Sequence, residues 1–338
     1  MRVALDGFGT DKAPIPEIKG AISVLKERED IEVLLVGNEY ELKRHLRGLE
    51  YPKERLKIVH AEQIVHHDDK PSDVIRTKKN SSIAVGLNLV RSKEADAFVS
   101  AGNTVAVMAF SLVILGRIRG VSRPAIGALF PNVEGGRNLV LDMGANIFVP
   151  SRFLVEFALM GSAFYTAMFN KRPKVALLSV GEEESKGGDV IVGARKILES
   201  LKGNFDFVGY VEGHEILQTK ADVIVMDGFV GNVLLKFGES VLEVILEFLK
   251  REVKKDPKTL LGAALMKPAF RGIKKKADFE EYGGAPLIGT NGVVIISHGR
   301  STSKAIHNAI LVAKTLKRRG LIERIEDYLN VRIPSSIN

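Results

Sequence analysis

The sequence has 338 residues, 45% of them hydrophobic, and a formal net charge of +8. A chain of this size and composition can bury a large core, which excludes a mainly disordered protein. It contains no cysteine, which excludes disulfides, thiolate metal sites and a cysteine nucleophile and is compatible with a reducing compartment. The first carboxylate, Asp6, comes too early for the apolar region of a signal peptide, so we expect an intracellular protein.

Short apolar runs alternate with amphipathic stretches along the chain. The apolar runs predict strands over 3–5, 33–36, 57–59, 97–99, 125–130, 139–141, 175–178, 223–226 and 293–296. The amphipathic stretches predict helices over 16–28, 39–47, 72–91, 104–115, 151–169, 189–201, 230–253 and 303–318. This alternation favours a mostly parallel sheet covered by helices on both faces. Ligands of such folds bind at the carboxyl ends of the strands.

The stretch 97–116 has no charged residue and is long enough to cross a membrane. In its middle lies the small polar sequence SAGNT, in which Gly102 permits a sharp turn and Asn103 or Thr104 can cap a helix. We therefore predict a strand, a turn and a helix instead of a membrane span. Such a turn presents backbone N–H groups and hydroxyls at one place, where an anion binds well. The predicted phosphate-binding residues here are Ser100, Gly102, Asn103 and Thr104.

Two more predicted strands end in an acid followed by glycine and asparagine, at 142–146 and 227–232. Glycine lets the backbone approach a ligand, and asparagine supplies neutral hydrogen bonds. Tight turns and helix caps use the same residues, which is the better explanation for any one of these ends taken alone. Because three such ends occur in one chain, we predict a shared ligand cleft. Its predicted lining residues are Asn146, Gly231 and Asn232, with Asp6, Asp142 and Asp227 in support.

Two stretches place basic side chains near predicted strand ends. Lys186 stands beside glycines, with Gly181 close by, and is the strongest single candidate for contact with a phosphate. The alternative for Lys186 is an exposed lysine that balances three neighbouring glutamates. In 76–82, Arg76 is suited to bind an anion bidentately, whereas Lys78 and Lys79 are predicted to face solvent.

Other motifs are incomplete or ambiguous. The sequence 7–12 begins like a dinucleotide fingerprint, but Lys12 stands where the third glycine belongs, and no P-loop sequence occurs. Residues 66–69, HHDD, are adjacent on a predicted loop, so their side chains point apart and do not predict a metal site. We therefore expect neither a cofactor nor a metal. His298, at the end of the last predicted strand, either polarises a carbonyl or caps the turn, and both interpretations stay open.

The basic character of the chain is concentrated between Lys250 and Lys276, where ten basic residues stand against two acids. Apolar residues alternate with them as on an amphipathic surface helix, and we predict a helical hairpin over 240–276. Its apolar side packs on the body or on a second subunit, faces an anionic membrane, or binds an acidic protein, and these alternatives stay open. The predicted carrier- or membrane-facing residues are Lys254, Lys255, Leu261, Leu265, Phe270, Arg271, Lys274 and Lys275.

Together, these motifs resemble the PlsX-type phosphate acyltransferases of bacterial phospholipid synthesis. The likeness runs nearly from end to end, through LDGFGTDKAP, ADAFVSAGNT, RPAI, LDMGAN, LLSVGEEESKG, ADVIVMDGFVGNVLLK and YGGAPLIGTNG. The chain departs from the usual pattern at Phe8 and Thr10, where the family has Met and Gly, at Val105, and at 299–301. A threonine at position 10 disfavours any backbone contact that needs a positive φ there.

The resemblance implies a three-layer α/β/α sandwich with a mostly parallel, doubly wound sheet. This fold is Rossmann-like, is related to the isocitrate and isopropylmalate dehydrogenase-like fold, and carries a protruding helical hairpin. The resemblance also implies one catalytic unit over 1–338, a homodimer, and conversion of acyl-(acyl carrier protein) and orthophosphate to acyl phosphate and free carrier protein. We expect a cytoplasmic location, with peripheral contact at the inner face of the cell membrane, and no nucleic-acid partner.

The chemistry needs no covalent enzyme intermediate, because orthophosphate is an anionic nucleophile and a thioester is an activated acyl donor. The protein must hold phosphate in line with the carbonyl carbon and stabilise the developing oxyanion. We expect Lys186, Asn232 and Asn103 to be the catalytic residues. The alternatives are a phosphate acetyltransferase-like enzyme that uses acyl-coenzyme A, an NAD-dependent dehydrogenase, and a non-catalytic protein that docks carrier or lipid.

Overall fold

A computed structural model describes residues 1–66, 68–184, 186–277, 281 and 283–330, with backbone only at 71 and 273–277. The strands are β1 (Arg2–Asp6), β2 (Glu32–Gly37), β3 (Leu56–His60), β4 (Ala97–Ser100), β5 (Ala125–Ile126), β6 (Ala128–Pro131), β7 (Arg137–Leu141), β8 (Lys174–Ser179), β9 (Asp206–Glu212), β10 (Val223–Val225), β11 (Ala285–Ile288) and β12 (Val293–Ile296). The helices are α1 (Ile15–Glu27), α2 (Glu39–Leu46), α3 (Pro71–Thr77), α4 (Ser82–Arg91), α5 (Thr104–Ile114), α6 (Ser151–Phe169), α7 (Gly188–Ser200), α8 (Gly228–Val253), α9 (Pro257–Leu265), α10 (Lys267–Ala277), α11 (Ser303–Arg318) and α12 (Leu321–Leu329).

The strands form two sheets. The larger sheet has the order β3-β2-β1-β4-β12-β11-β5, and the smaller has the order β6-β7-β10-β8-β9. In the larger sheet β1, β2, β3, β4 and β12 are parallel and β11 is antiparallel to both its neighbours. In the smaller sheet only the β6 pairing is antiparallel. Parallel strands need helical crossovers, which cover the faces of the sheets, so the predicted α/β class is confirmed.

The chain passes from one sheet to the other at Gly127. The single strand predicted over 125–130 is wrong, because β5 pairs with β11 in the larger sheet whereas β6 pairs with β7 in the smaller one. A Cβ atom at Gly127 would lie 3.0 Å from side-chain atoms of both Ile288 and Leu139. Glycine leaves room here for side chains of both packed layers to approach the same backbone.

Other differences concern short or irregular elements. The helix predicted over 72–91 is two helices, α3 and α4, and the Ser81 side chain accepts a hydrogen bond from Ala84 N at the start of α4. Strands β9 and β11 and helix α12 were not predicted. Strand β9 carries a register irregularity and a glycine with positive φ, and β11 contains Pro286, so neither has a simple apolar alternation.

The segment 97–116 forms β4 and α5, as predicted. Strand β4 lies between β1 and β12, and all its residues are buried. Within the described parts of the chain, no helix combines the length and the apolar character needed to cross a bilayer. The apolar run therefore belongs to the interior of the larger sheet and to the helix that follows it.

The region 228–277 contains α8 and the shorter helices α9 and α10. Helix α8 has 26 residues, of which Gly228 and Gly231 are buried, and it exposes Phe237, Val244 and Phe248 among other apolar side chains. The predicted hairpin over 240–276 corresponds to the second half of α8 followed by α9 and α10. Lys274 and Lys275 lie in α10, and their side chains are outside the described part of the chain.

Candidate active site

The loops after β1 and β4 are joined by buried hydrogen bonds. The Ser100 hydroxyl donates to Asp6 Oδ2 at 2.7 Å and accepts from Gly102 N at 3.0 Å, and Asp6 Oδ1 accepts from Phe8 N at 3.1 Å. Burial raises the pKa of Asp6, while hydrogen bonds from Ser100, Ser82 and the Phe8 N–H act in the opposite direction. The Ser100 hydroxyl therefore holds the turn in this structure, and its direct contact with phosphate stays a prediction.

Helix α5 begins directly after this turn. Asn103 is its N-cap: Asn103 Oδ1 accepts from Ala106 N at 3.0 Å, and Asn103 Nδ2 donates to the His66 carbonyl oxygen at 3.3 Å. Thr104 and Val105, in the first turn, are exposed. The N-terminal end of α5, with the positive end of its dipole, is thus open to solvent and suited to an anion.

The loop 7–12 packs closely on the β4 turn. A Cβ atom at Gly9 would lie 2.6 Å from Gly102 N, so only glycine allows this approach. Asp11 N donates to the Gly299 carbonyl oxygen at 2.8 Å, which joins the loop to the segment after β12. Thr10 is not among the described residues with positive φ, so the departure from the family pattern at this position causes no backbone strain.

The loop after β7 is organised by Asp142. Its Oδ1 accepts from Ile126 N at 3.0 Å and from Ala145 N at 3.0 Å, and its Oδ2 accepts from Asn146 N at 2.7 Å. Burial raises the pKa of Asp142, and these hydrogen bonds lower it. Asn146 Nδ2 donates to Asp142 Oδ2 and to the Pro124 carbonyl oxygen, both at 2.8 Å. Because Ile126 lies in β5, Asp142 joins the two sheets at this point.

The start of α8 packs on the same loop. Gly228 N donates to the Asn146 carbonyl oxygen at 2.7 Å, and Asp227 Oδ1 caps the helix by accepting from Val230 N at 2.8 Å. A Cβ atom at Gly144 would lie 3.4 Å from Asn232 Cβ. The loops after β7 and β10 therefore contact each other, and Asn232 lies against the 142–146 loop. The shared-cleft prediction requires this contact between the two strand ends.

Lys186 lies in the loop after β8, the strand next to β10. A Cβ atom at Gly181 would lie 3.2 Å from Lys186 Cγ, so the lysine stem passes over that glycine. Among the described residues no acid forms an ion pair with Lys186, whereas Glu184 pairs with Arg195 at 3.1 Å. Glu183 Oε2 lies 2.8 Å from the same Cβ position and Lys186 is exposed, so the alternative in which Lys186 balances the neighbouring glutamates stays open.

Helix α8 extends from the smaller sheet to the segment that follows β12 in the larger sheet. Glu243, fifteen residues after Gly228, lies 3.5 Å from Arg300 Nη1, and this spacing corresponds to about 22 Å along a helix. His298 Nδ1 accepts from Arg300 N at 3.1 Å, and the His298 side chain is exposed. His298 thus makes the turn contact that its capping interpretation describes.

The remaining candidates lie further out. Arg76 has a 77% exposed side chain and pairs with Asp73 at 3.1 Å, so its contact with phosphate stays a prediction. The prediction that Lys78 faces solvent is wrong, because Lys78 is mostly buried, donates to the Ile64 carbonyl oxygen at 2.8 Å and pairs with Asp69. Of the 66–69 sequence, His67 lies outside the described residues, and the described chain contains no cluster of three metal-binding side chains.

Comparison with known proteins gives the family. Residues 1–324 match the model of the fatty acid synthesis protein family. The chain belongs to this family. It is 44% identical over 333 residues to the phosphate acyltransferase of Dictyoglomus turgidum, covering 98% of both chains. It is 45% identical over 331 residues to that of Halothermothrix orenii, covering 98% of this chain and 99% of the relative. The prediction of an enzyme of the phosphate acyltransferase family is confirmed.

Solved structures show the same fold at much lower identity. The chain is similar to the EutD phosphotransacetylase from Staphylococcus aureus, with a TM-score of 0.61, 18% identity and 94% of each chain covered. It is also similar to a 4-hydroxythreonine-4-phosphate dehydrogenase from Klebsiella pneumoniae, with a TM-score of 0.54, 12% identity and coverage of 94% of this chain and 99% of that one. At these identities the likeness concerns the fold alone, and it supports the predicted Rossmann-like architecture.

Proposed function

We propose that this protein transfers the acyl group of acyl-(acyl carrier protein) to orthophosphate. A phosphate oxygen attacks the thioester carbonyl carbon, the new C–O bond forms, the C–S bond breaks, and the carrier thiolate takes up a proton from solvent. The family supports the reaction type, and the acidic carrier is inferred from the resemblance and from the basic 250–276 segment. Phosphate dianion is itself the nucleophile, so the reaction requires no strong base from the protein.

The observation that carries this proposal is Lys186, a cation without an acid partner among the described residues, in the glycine-rich loop after β8. Its charge is available for an anion or for the oxyanion that develops on the carbonyl. Asn232, against the 142–146 loop, supplies a neutral donor at the neighbouring strand end. We assign orientation of phosphate and oxyanion stabilisation to Lys186 and Asn232.

The phosphate is proposed to bind at the start of α5. The Asn103 side chain caps Ala106 N, and the exposed first turn at Thr104 and Val105 presents backbone N–H groups to solvent. Asp6 accepts backbone N–H hydrogen bonds beside the β4 turn, and Asp142 and Asp227 accept them in the loops after β7 and β10 of the smaller sheet. Their proposed role is to hold these loops, because a carboxylate that faced phosphate would repel it.

We further propose a homodimer of single catalytic units with peripheral membrane contact. On α8, the exposed Phe237, Val241, Val244 and Phe248 recur at spacings of four, three and four residues, which is the pattern of a helix that packs on another helix. The exposed leucines of α9 lie beside basic residues, which suits an anionic bilayer or an acidic carrier. Arg76 and His298 are kept as proposed substrate contacts.

The decisive experiment incubates the full chain and phosphate with palmitoyl-(acyl carrier protein), with palmitoyl-coenzyme A or with no donor, and traps acyl phosphate with hydroxylamine. Phosphate-dependent hydroxamate from the carrier-bound donor is the expected result. Product only from the coenzyme A donor would replace the proposed substrate, and product from neither would reject the function. A reaction without enzyme controls for spontaneous thioester cleavage.

A further inference from the structure

The first turn of α1 contains a carboxyl group with no role in the chemistry described so far. Glu17 is fully buried, and its Oε1 accepts from Thr10 N at 2.7 Å. The second oxygen, Oε2, has no hydrogen-bond partner in the described part of the chain. A buried carboxylate with one unpartnered oxygen is costly when ionised, so this group favours its protonated form.

The charges around Glu17 do not offset this cost. On β1, the buried Asp6 adds a second negative charge, and the described residues contain no cation paired with either acid. On α11, which packs on α1, Lys304 pairs with Glu281 and His307 pairs with Glu27. In the intervening loop, Asp11 and Lys12 are directed to the surface. On the other elements that contact α1, Glu32 of β2 pairs with Arg2, and Lys43 of α2 pairs with Glu39.

Burial is the main cause that raises the pKa of Glu17 to about 7. The Thr10 N–H hydrogen bond lowers the pKa, and the neighbouring Asp6 charge raises it. Asp6 differs from Glu17 in that the Ser100 hydroxyl and the Phe8 N–H both donate to it. Burial raises the pKa of both acids, and Glu17 is the one that has a side-chain oxygen without a hydrogen-bond partner in the described part of the chain.

Glu17 is connected to the proposed phosphate position through the 7–12 loop. Thr10, which Glu17 holds, is adjacent to Gly9, and Gly9 packs on the Gly102 backbone. One hydrogen bond and two residue spacings limit the separation of the carboxyl group and the β4 turn to about 10 Å. At that distance, in surroundings of intermediate polarity, a full negative charge weakens the binding of an anion by a factor on the order of ten.

We propose that Glu17 is a positioning residue that links anion binding at the β4 turn to the uptake of one proton. In its protonated form Glu17 keeps Oε1 as the acceptor for Thr10 N and removes a negative charge from behind the anion. In its ionised form it repels the anion. This inference rests on the proposed phosphate position, and anion affinity should be high at pH 6 and fall as the pH rises above neutrality.

Sulfate is the appropriate probe, because it keeps its two charges over this pH range whereas phosphate titrates within it. Sulfate affinity of the full chain is measured calorimetrically between pH 6 and pH 8.5 for the unaltered protein, Glu17→Gln and His307→Asn. We expect about tenfold weaker binding at the higher pH for the unaltered protein and for His307→Asn. Glu17→Gln should show a flat profile, because its amide carries no charge. Equal pH dependence with and without Glu17 overturns the inference, as does absence of sulfate binding.

A second measurement needs no variant and so does not depend on the folding of Glu17→Gln. Sulfate titrations of the unaltered protein at pH 7, in two buffers with different ionisation enthalpies, give the number of protons taken up. We expect about half a proton per sulfate, since a group with pKa near 7 is half protonated there. No proton uptake overturns the inference. Neither experiment measures acyl phosphate formation. The coupling of sulfate binding to proton uptake is therefore tested separately from the proposed reaction, and either can fail while the other holds.

Discussion

Gly231 lies directly against the main chain of Asp142: a Cβ atom built on Gly231 would be 1.9 Å from the Asp142 carbonyl oxygen. The first turn of α8 and the loop after β7 therefore touch through backbone alone. Since that carbonyl is part of a main chain held by the buried Asp142 side chain, it has little freedom to move. The approach of Asn232 to the same loop depends on this contact.

The first prediction is that Gly231→Ala displaces α8 from the 142–146 loop. We expect a loss of about 3 kcal/mol in the free energy of unfolding, from overpacking against backbone, together with loss of acyl phosphate formation. Gly238→Ala is the matched control, because it lies in the same helix with no atom within 4 Å of the added Cβ. The control should be as stable as the parent or more stable. Equal stability of the two variants in urea unfolding would contradict the prediction.

In this region, features that depend on neighbouring residues could be predicted from the sequence, and features that depend on distant residues could not. A β-branched run followed by acid, glycine and asparagine is a local pattern, so the strand ends at Asp142 and Asp227 and the caps at Asn103 and Asp227 were predictable. The division into two sheets was not, because it depends on whether Ala128 pairs with Val140 instead of with a strand of the larger sheet. The partners that decide this pairing, β7 and β11, are distant in the sequence from one another.

Side-chain environment was the least predictable property. Glu17 stands in the first turn of a predicted helix, where acids are common and usually exposed. Its burial follows from the position of Thr10, which the fold brings over it. Lys78 and Lys79 are adjacent and chemically equal in the sequence, yet Lys78 is mostly buried beside Asp69 because the preceding loop folds back on it. Contacts of this kind arise from tertiary structure and leave no periodic signal.

The second prediction concerns Ser100. Ser100→Ala removes a donor to the buried Asp6, and it should lower the free energy of unfolding by about 2 kcal/mol. Because burial already raises the pKa of Asp6, loss of a donor raises it further, so the deficit should grow as the pH rises through that pKa. Ser111→Ala is the control, since Ser111 is buried and its hydroxyl has no partner in the described chain. Urea unfolding compares the two variants over the pH range in which the parent stays folded, and a loss for Ser100→Ala no larger than that for Ser111→Ala would contradict the assignment.

The third prediction is that Lys186→Ala lowers kcat/KM for phosphate about 100-fold without changing stability, as expected for one lost donor to a developing charge. Lys186 is exposed, so its removal leaves no cavity. Lys196→Ala, an exposed lysine on α7, is the matched control and should keep parental activity. The hydroxamate assay measures both variants. Near-parental turnover by folded Lys186→Ala would remove this residue from the chemistry.

The fourth prediction follows from the raised pKa of Glu17, about 7 in the folded protein against 4.5 in the unfolded chain. Between these values the folded state binds more protons, so the stability contributed by protonated Glu17 is present below pH 4.5 and is lost as the pH rises to about 7. Glu17→Gln should therefore be more stable than the parent at pH 8, by up to about 3 kcal/mol, with the gain vanishing near pH 4. Glu29→Gln, at an exposed position, serves as the control. A gain that does not depend on pH would contradict the assignment.

The fifth prediction concerns α9, whose Leu261 and Leu265 side chains are 65% and 77% exposed. If this surface binds an anionic bilayer, the intact protein should float with vesicles of phosphatidylglycerol and phosphatidylcholine but not with phosphatidylcholine alone, because basic residues beside the leucines supply part of the attraction. Leu261→Glu combined with Leu265→Glu should abolish flotation, since both changes remove apolar contact and add repulsion.

Val113→Glu, at an exposed apolar position on α5, controls for any added acid and should still float. Size-exclusion chromatography of the same variants separates the membrane from the second copy as the occupant of this surface. If the unaltered protein is a dimer that does not float and the double variant is a monomer, the α9 leucines belong to the subunit interface. A double variant that stays dimeric but no longer floats would leave the dimer contact to the apolar face of α8, where the spacing of Phe237, Val241, Val244 and Phe248 already favours helix packing.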